Sequence, residues 1–186
     1  VPRFVGHIRS EAQRLVTLIG DIIRLSQLDE GEPMPTETVD LLEVTREAAE
    51  NLQTAAAARD VTVTVEGQPA ELEGVRRLLY EIVYNLCDNA IKYNVTGGCV
   101  DLSVSCTGGT AAVMVRDTGI GIPADQQDRV FERFYRVDKS HSKASGGTGL
   151  GLSIVKHAVQ YHHGVIELKS ELGKGTEIRV TFPVKA

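Results

Sequence analysis

A short break between two unlike halves is the feature that most constrains this sequence. Residues 29–37, DEGEPMPTE, combine two prolines, a glycine and four acidic residues. Proline removes a backbone donor, and both proline and glycine interrupt helices and strands. We therefore expect a domain boundary here, with residues 1–30 as one unit, residues 31–36 as a linker and residues 37–186 as a second unit.

The first unit has the pattern of one long helix over residues 3–29. Apolar residues recur at alternating spacings of four and three, which is a heptad seam. This seam consists of Ile8, Ala12, Leu15, Ile19 and Ile22. Leu18 and Leu25 add a second apolar stripe. One helix cannot bury two stripes by itself, so we expect it to pack on a partner helix and on a second copy of the chain.

The second unit mixes helical and strand patterns. Helical periodicity predicts helices within residues 39–60, 74–94 and 150–162, and period-two alternation predicts strands within residues 61–67, 98–119 and 164–184. This order predicts an α+β fold, a two-layer sandwich with helices on one face of a mostly antiparallel sheet, preceded by the long bundle helix.

Composition excludes several classes of function. The net charge of −5 argues against a nucleic-acid surface. No run of about 18 apolar residues is present, so we expect no membrane span within this sequence. Three cysteines without metal-ligand spacing suit a reducing compartment. Because the sequence begins inside a helical pattern without methionine, we expect it to be part of a longer protein.

Polar residues follow one face of the predicted second helix of the mixed unit. Glu81, Asn85, Asn89 and Lys92 are spaced by four, four and three residues, which aligns them on a helix. The Asn89 oxygen is a ligand type that Mg²⁺ accepts, and Lys92 could meet a phosphate. The alternative is an ordinary solvated helix face.

Three loop segments complete the set of candidate site residues. Asp117, in DTGIGIP, ends a strand and could accept a hydrogen bond from an exocyclic amine, although an ordinary turn would also explain it. The glycines of residues 146–151 could direct backbone N–H groups at an anion, or could serve as a hinge or a close helix contact. Residues 131–142, FERFYRVDKSHS, are aromatic and basic and suit a lid. Arg133, Arg136 and Lys139 of this segment, and Lys143 directly after it, could meet phosphate; a packed amphipathic helix is the alternative.

In this order, these segments resemble the conserved boxes of sensor histidine kinases. NLCDNAIKY, DTGIGI, FERFYR, GTGLGLSIV and GKGTE are similar to the N, G1, F, G2 and G3 boxes of that family, and the resemblance covers residues 37–186. The F box separates these kinases from the related ATPases of chaperones, type II topoisomerases and mismatch repair. Residues 4–31 are similar to the second helix of the dimerisation and phosphoacceptor domain.

The resemblance implies a Bergerat-type fold that binds ATP with Mg²⁺. It implies that Asp117 binds the adenine amine and that Asn89 coordinates the metal. The implied cofactor contacts are Asn85, Asn89, Lys92, Tyr93, Asp117, Gly119, Gly121, Ile122, Arg136, Gly147, Thr148, Gly149, Leu150, Gly151, Leu152 and Thr176. Asn85 and Glu81 are the implied catalytic residues, since Glu81 lies where the ATPase relatives keep a water-activating base.

The implied activity is transfer of the ATP γ-phosphate to a histidine and onward to an aspartate of a response regulator. No box typical of the phosphoacceptor histidine is present, and His7 lacks its neighbours, so we expect the acceptor outside this sequence and no autophosphorylation by this segment. The resemblance also implies a homodimer through the helical bundle and a cytoplasmic location in a membrane-anchored phosphoprotein. The alternatives are an ATPase or switch on the same fold, and a degenerate partner-binding module.

Overall fold

The computed structural model describes residues 2–31, 33–137 and 147–184. Four helices and seven strands lie in these ranges. The helices are α1 (Pro2–Glu30), α2 (Leu41–Ala57), α3 (Arg76–Lys92) and α4 (Gly151–Tyr161), with one 3₁₀ turn at Ala124–Gln126. The strands are β1 (Glu37–Asp40), β2 (Thr62–Gly67), β3 (Glu71–Gly74), β4 (Cys99–Thr107), β5 (Thr110–Asp117), β6 (Val165–Glu171) and β7 (Gly175–Pro183).

The main sheet has five strands in the order β2-β4-β5-β7-β6. Strands β4, β5, β7 and β6 pair antiparallel, as the two predicted hairpins require. The pairing of β2 with β4 is parallel, because α3 lies between these two strands in the chain and carries it back to the same end of the sheet. The α+β prediction, with a mostly antiparallel sheet, is confirmed.

A second, two-stranded sheet pairs β1 with β3 and was not anticipated from the sequence. Each of these strands has only four residues, too few for alternation to show. The pairing places Asp40 between two segments, where its Oδ1 accepts hydrogen bonds from the N–H groups of Leu42 and Ala70. Asp40 is therefore both the N-cap of α2 and a link to the chain entering β3.

Helices α2, α3 and α4 contribute to one hydrophobic core with the five-stranded sheet. The predicted apolar side of α3 is buried: Leu78, Leu79, Ile82, Val83, Leu86 and Ile91 are each at most 2% exposed. Phe182 of β7 is the largest fully buried side chain. This packing fixes α3 and α4, the two helices that carry most of the candidate site.

Helix α1 uses its two apolar stripes differently. Leu25 is buried with Leu150 and Ile154 at the start of α4, and Leu18 packs against this group. Four residues of the heptad seam face solvent, namely Ile8, Leu15, Ile19 and Ile22, which are 46–57% exposed. Within the ranges that the structure describes, no helix is long and apolar enough to cross a membrane.

Candidate nucleotide-binding site

Asp117 stands at the end of β5 with its carboxylate partly buried. Its Oδ1 accepts hydrogen bonds from the N–H groups of Gly119, at 2.8 Å, and Thr176, at 3.2 Å. Burial raises the pKa of Asp117, and the two N–H groups partly oppose that rise. Among the described residues, none donates a hydrogen bond to Oδ2. The carboxylate is thus held by one oxygen and can accept a donor at the other.

The loop after Asp117 is fastened to the end of α3 and to the β6–β7 turn. The Ile120 N–H donates to the Tyr93 carbonyl at 3.0 Å, and the Gly173 N–H donates to the Ile120 carbonyl at 2.8 Å. Gly121 has a φ of +68°, and a Cβ there would lie 2.1 Å from the Glu171 carbonyl oxygen. Only glycine fits this position, so the loop path depends on it.

Helix α3 brings the polar face predicted from the sequence to the start of α4. The Asn85 amide donates to the Glu81 carbonyl at 2.8 Å, and its Oδ1 would lie 2.9 Å from a Cβ on Gly151. The Asn89 side chain is half-buried and makes no hydrogen bond to a described residue. Lys92 pairs with Asp88 at 2.5 Å. Of this face, Asn89 has its carboxamide free for a ligand.

The glycine segment lies against the preceding aromatic and basic segment. The Phe134 N–H donates to the Gly149 carbonyl at 2.9 Å, and Phe134 itself has a φ of +63°. The Arg136 guanidinium would lie 3.5 Å from a Cβ on Gly147, so it stands beside this loop. Leu150 is fully buried below it. Lys139 and Lys143 lie outside the described residues.

Thr148 and Glu81 are engaged by α1. The Thr148 hydroxyl donates to Asp21 Oδ2 at 2.8 Å. Glu81 Oε1 lies 3.2 Å from Arg24 Nε and 3.6 Å from Arg77 Nη1. Its Oε2 is buried and has no hydrogen-bond partner among the described residues. Burial raises the pKa of Glu81, and the arginines oppose that rise. Glu81 is therefore part of an ion-pair network between α1 and α3.

Sequence reasoning missed the residues that support Asp117 from behind. The Ile122 N–H donates to the Ser170 hydroxyl at 2.8 Å, and the Gln127 amide bridges the carbonyls of Ile122 and Ser170 at 2.9 Å each. The sequence does contain one indication of Ser170. This serine follows Ile166 and Leu168 at every second position of β6, so it is a polar residue on the more buried side of that strand.

Sequence reasoning also missed the contacts that α1 makes with the rest of the chain. Arg133 donates to both oxygens of Asp29, and the same guanidinium lies 3.2 Å from His157 Nε2. Together with Asp21 and Arg24, Asp29 ties α1 to residues 37–186, which we call the layered domain. The pairs of Asp21, Arg24 and Asp29 with Thr148, Glu81 and Arg133 join residues that are 57–127 positions apart, so no local sequence pattern predicts them.

The sheet, its layer of helices and this set of loops match the fold that the sequence resemblance implied. Residues 74–186 match the family described as histidine kinase-, DNA gyrase B-, and HSP90-like ATPase. The chain belongs to this family.

Among the proteins of this family, the chain is similar to sensor histidine kinases. The chain is 40% identical over 185 residues to the sensor-like histidine kinase SenX3 of Mycolicibacterium smegmatis, covering 98% of this chain and 48% of that protein. It is 33% identical over 197 residues to the sensor histidine kinase WalK of Bacillus subtilis, covering 99% of this chain and 31% of that protein. The chain thus spans about half the length of SenX3 and less of WalK.

Solved structures give the same result. The mycobacterial sensor histidine kinase MprB matches with a TM-score of 0.70 and 31% identity, covering 80% of this chain and 97% of that chain. Full-length ShkA in complex with AMPPNP matches with a TM-score of 0.83 and 26% identity, covering 100% of this chain and 39% of that chain. The resemblance to sensor histidine kinases is confirmed, and the chain contains a histidine kinase-type ATPase domain.

Proposed function

We propose that this chain is the ATP-binding catalytic part of a sensor histidine kinase. ATP binds the layered domain, and its γ-phosphate passes to a histidine outside residues 1–186 and then to a response-regulator aspartate. The observation that carries the proposal is the Asp117 carboxylate, whose Oδ1 is held by two N–H groups while Oδ2 accepts from no described residue. Such an oxygen, partly removed from water, suits the exocyclic amine of adenine. The AMPPNP complex of ShkA supports this assignment.

The proposed division of the chain keeps the boundaries expected from the sequence. Residues 1–30 form the second helix of a dimerisation and phosphoacceptor hairpin, residues 31–36 a linker and residues 37–186 the catalytic domain. Residues 37–186 number 150 of 186, or about 81%. The match to MprB, which covers 80% of this chain and nearly all of that one, supports this boundary.

We assign the remaining contacts to two parts of the nucleotide. Tyr93, Gly119, Gly121, Ile122 and Thr176 border the base and ribose. The phosphates lie toward the glycine loop, Lys92 and Arg136, where the N-terminus of α4 favours negative charge. The loop residues are Gly147, Thr148, Gly149, Leu150, Gly151 and Leu152.

Asn89 is the residue that would hold Mg²⁺. Its carboxamide is half-buried and unbonded to the described residues, whereas the neighbouring Asn85 and Asn94 both donate to backbone carbonyls. The described residues contain no group of three His, Cys, Asp or Glu side chains that could hold a metal. This fits an ion that takes few protein ligands and completes its shell with phosphates and water. Bound there, Mg²⁺ would offset negative charge on the β- and γ-phosphates.

Catalysis by this chain is then mainly positioning. Phosphoryl transfer needs in-line geometry and charge neutralisation, with little covalent chemistry from the protein. Asn85 and Glu81 are the proposed catalytic residues of α3. Because Glu81 is paired with Arg24 of α1, its carboxylate would become available to substrate only after α1 and α3 separate.

The proposed partners follow from the same assignment. The exposed seam of α1 suits a homodimer formed through a helical bundle, since an unpaired heptad seam buries its apolar face on another helix. The onward acceptor is a response regulator. We place the chain in the cytoplasm, as part of a membrane-anchored kinase, in line with its similarity to sensor kinases.

The test is transfer of ³²P from γ-labelled ATP. The chain itself and a longer protein that contains it should be incubated separately. We expect acid-labile, base-stable label on the longer protein only, and loss of that label with Asn89→Ala but not with Asn51→Ala, a control on α2. Label on residues 1–186 that disappears with His7→Ala would contradict the proposal, as would an unlabelled longer protein.

A further inference from the structure

Ser170 lies at the centre of a group of hydrogen bonds behind Asp117. Its hydroxyl donates to the Gly175 carbonyl at 3.0 Å and accepts from the Ile122 N–H at 2.8 Å. The Thr176 hydroxyl lies 2.9 Å away and can donate to the same oxygen. A serine hydroxyl has one proton and two lone pairs, so these three partners use its full capacity. Ser170 thereby joins the loop after β5 to the start of β7.

Gln127 closes this group from the other side. Its amide nitrogen donates to the Ile122 carbonyl and to the Ser170 carbonyl, each at 2.9 Å. The two amide protons thus bridge the same two segments that the Ser170 hydroxyl joins. We call Ser170 and Gln127 the clasp. Both residues are partly buried, so these bonds are shielded from competing water.

The clasp holds the two segments that supply hydrogen bonds to Asp117. Thr176, which donates its N–H to Asp117 Oδ1, directly follows Gly175, the acceptor of the Ser170 hydroxyl. Gly119, the other donor, lies three residues before Ile122 in the same loop. Gly175 has a φ of +109°, and a Cβ there would lie 2.0 Å from the Asp117 carbonyl oxygen, so β7 starts in direct contact with the aspartate.

We propose that Ser170, supported by Gln127, is a positioning residue that sets the base selectivity of the nucleotide site. By fixing the Thr176 and Gly119 donors, the clasp keeps Oδ1 of Asp117 occupied and leaves Oδ2 as the acceptor for an exocyclic amine. Without the clasp, Asp117 can rotate and the amine loses a pre-oriented partner. This inference rests on the proposed function, in which Asp117 recognises adenine.

The test compares two nucleotides on matched variants. ATP carries the amine at C6 of its base, whereas ITP carries a carbonyl oxygen there, so the ratio of their dissociation constants reports the Asp117 contact. Calorimetric titrations should use the wild-type chain, Ser170→Ala, Ser170→Thr and Gln127→Ala. Thr64→Ala is the control, because Thr64 also makes a side-chain hydrogen bond but lies on β2, at the opposite edge of the sheet.

We expect wild-type protein and Thr64→Ala to prefer ATP. Ser170→Ala should weaken ATP binding by about tenfold, the value of one hydrogen bond, while changing ITP binding by less than about twofold. Ser170→Thr should prefer ATP over ITP as the wild type does, because threonine keeps the side-chain hydroxyl. Gln127→Ala should shift the ratio in the same direction as Ser170→Ala, and it carries the test if Ser170→Ala does not fold.

The outcomes separate this inference from the function on which it rests. A wild-type chain that binds ATP with clear preference, together with clasp variants that keep that preference or lose ATP and ITP equally, would overturn the positioning role alone. A wild-type chain that binds neither nucleotide, or both equally, would overturn the proposed recognition of adenine and the inference with it.

Discussion

His162 shows how one buried side chain ties α4 to the start of α3. Its Nε2 accepts from the Val75 N–H at 3.0 Å, and its Nδ1 lies 2.8 Å from the Ala158 carbonyl. These contacts require a neutral ring with the proton on Nδ1. Burial lowers the pKa of His162 below its usual 6.5. Since α3 begins at Arg76, this residue helps to fix the helix that carries Asn85 and Asn89.

We predict that stability falls as the pH drops below 6.5. The folded chain binds the His162 proton less readily than the unfolded chain does, so acid favours unfolding. The loss begins near the unfolded pKa and grows until the pH reaches the lowered folded pKa. Denaturant titrations at pH 7.5 and 5.5 should show a smaller pH dependence for His162→Gln than for wild type. His163→Asn, at the exposed neighbouring residue, should keep the wild-type slope; equal slopes in all three would contradict the prediction.

At the scale of elements, the β6–β7 turn and the loop after β5 act as one unit. Gly121 and Gly173 both have positive φ, of +68° and +80°, but their surroundings differ. A Cβ on Gly121 would collide with the Glu171 carbonyl, whereas a Cβ on Gly173 would meet nothing within 4 Å. The packing of one loop on the other therefore depends on Gly121 in particular.

Substitution of these two glycines separates backbone strain from collision. Gly173→Ala should cost about 1–2 kcal/mol, the cost of a left-handed conformation in a residue with a side chain. Gly121→Ala should cost more, because the loop must also move away from β6, and it should weaken ATP binding as Asp117 shifts. Thermal unfolding and ATP titration of both variants check this. Equal stability, with unchanged ATP affinity, would mean that the loops are not coupled.

At the scale of the whole molecule, the described residues attach α1 to the layered domain through both apolar and polar contacts. Leu28 of α1 is part of the main hydrophobic core. Leu25 packs on Leu150 and Ile154, while Asp21, Arg24 and Asp29 pair with Thr148, Glu81 and Arg133 respectively. The polar pairs are partly solvated at Arg24, Arg133 and Asp29, where ion pairs contribute little. We therefore expect the apolar contacts of Leu25 and Leu28 to supply most of the attachment.

Leu25→Ala should loosen the attachment of α1 without unfolding the layered domain. Removing a buried leucine costs about 2–5 kcal/mol, and here the cost falls on the contact between α1 and α4. Hydrogen exchange should accelerate in α1 and at the start of α4 while β4, β5 and β7 stay protected. Ile19→Ala, on the exposed seam, is the matched control and should leave exchange in the monomer unchanged. Faster exchange throughout the sheet would show instead that α1 is integral to the fold.

Much of the architecture could be predicted because its signals are local. The helix α3 and the β4–β5 hairpin follow from periodicity and a Gly-Gly turn, and Asp117 and Asn89 stand in short recognisable segments. The four-residue strands β1 and β3 could not be predicted, because their pairing is fixed by contacts distant in sequence. The same limit hides the Asp21–Thr148 contact, which joins residues 127 positions apart, and the clasp around Ser170.

The most direct test of nucleotide recognition by this chain is a calorimetric titration with ADP and AMPPNP, with and without Mg²⁺. It should be run on the wild-type chain, on Asp117→Asn, and on Asp101→Asn, a control on β4 whose carboxylate accepts a hydrogen bond from Thr64 on the edge strand β2. We predict Mg²⁺-dependent AMPPNP binding by the wild type and the control, and its loss in Asp117→Asn. Equal affinity in Asp117→Asn, or no binding by a folded wild-type chain, would contradict the account.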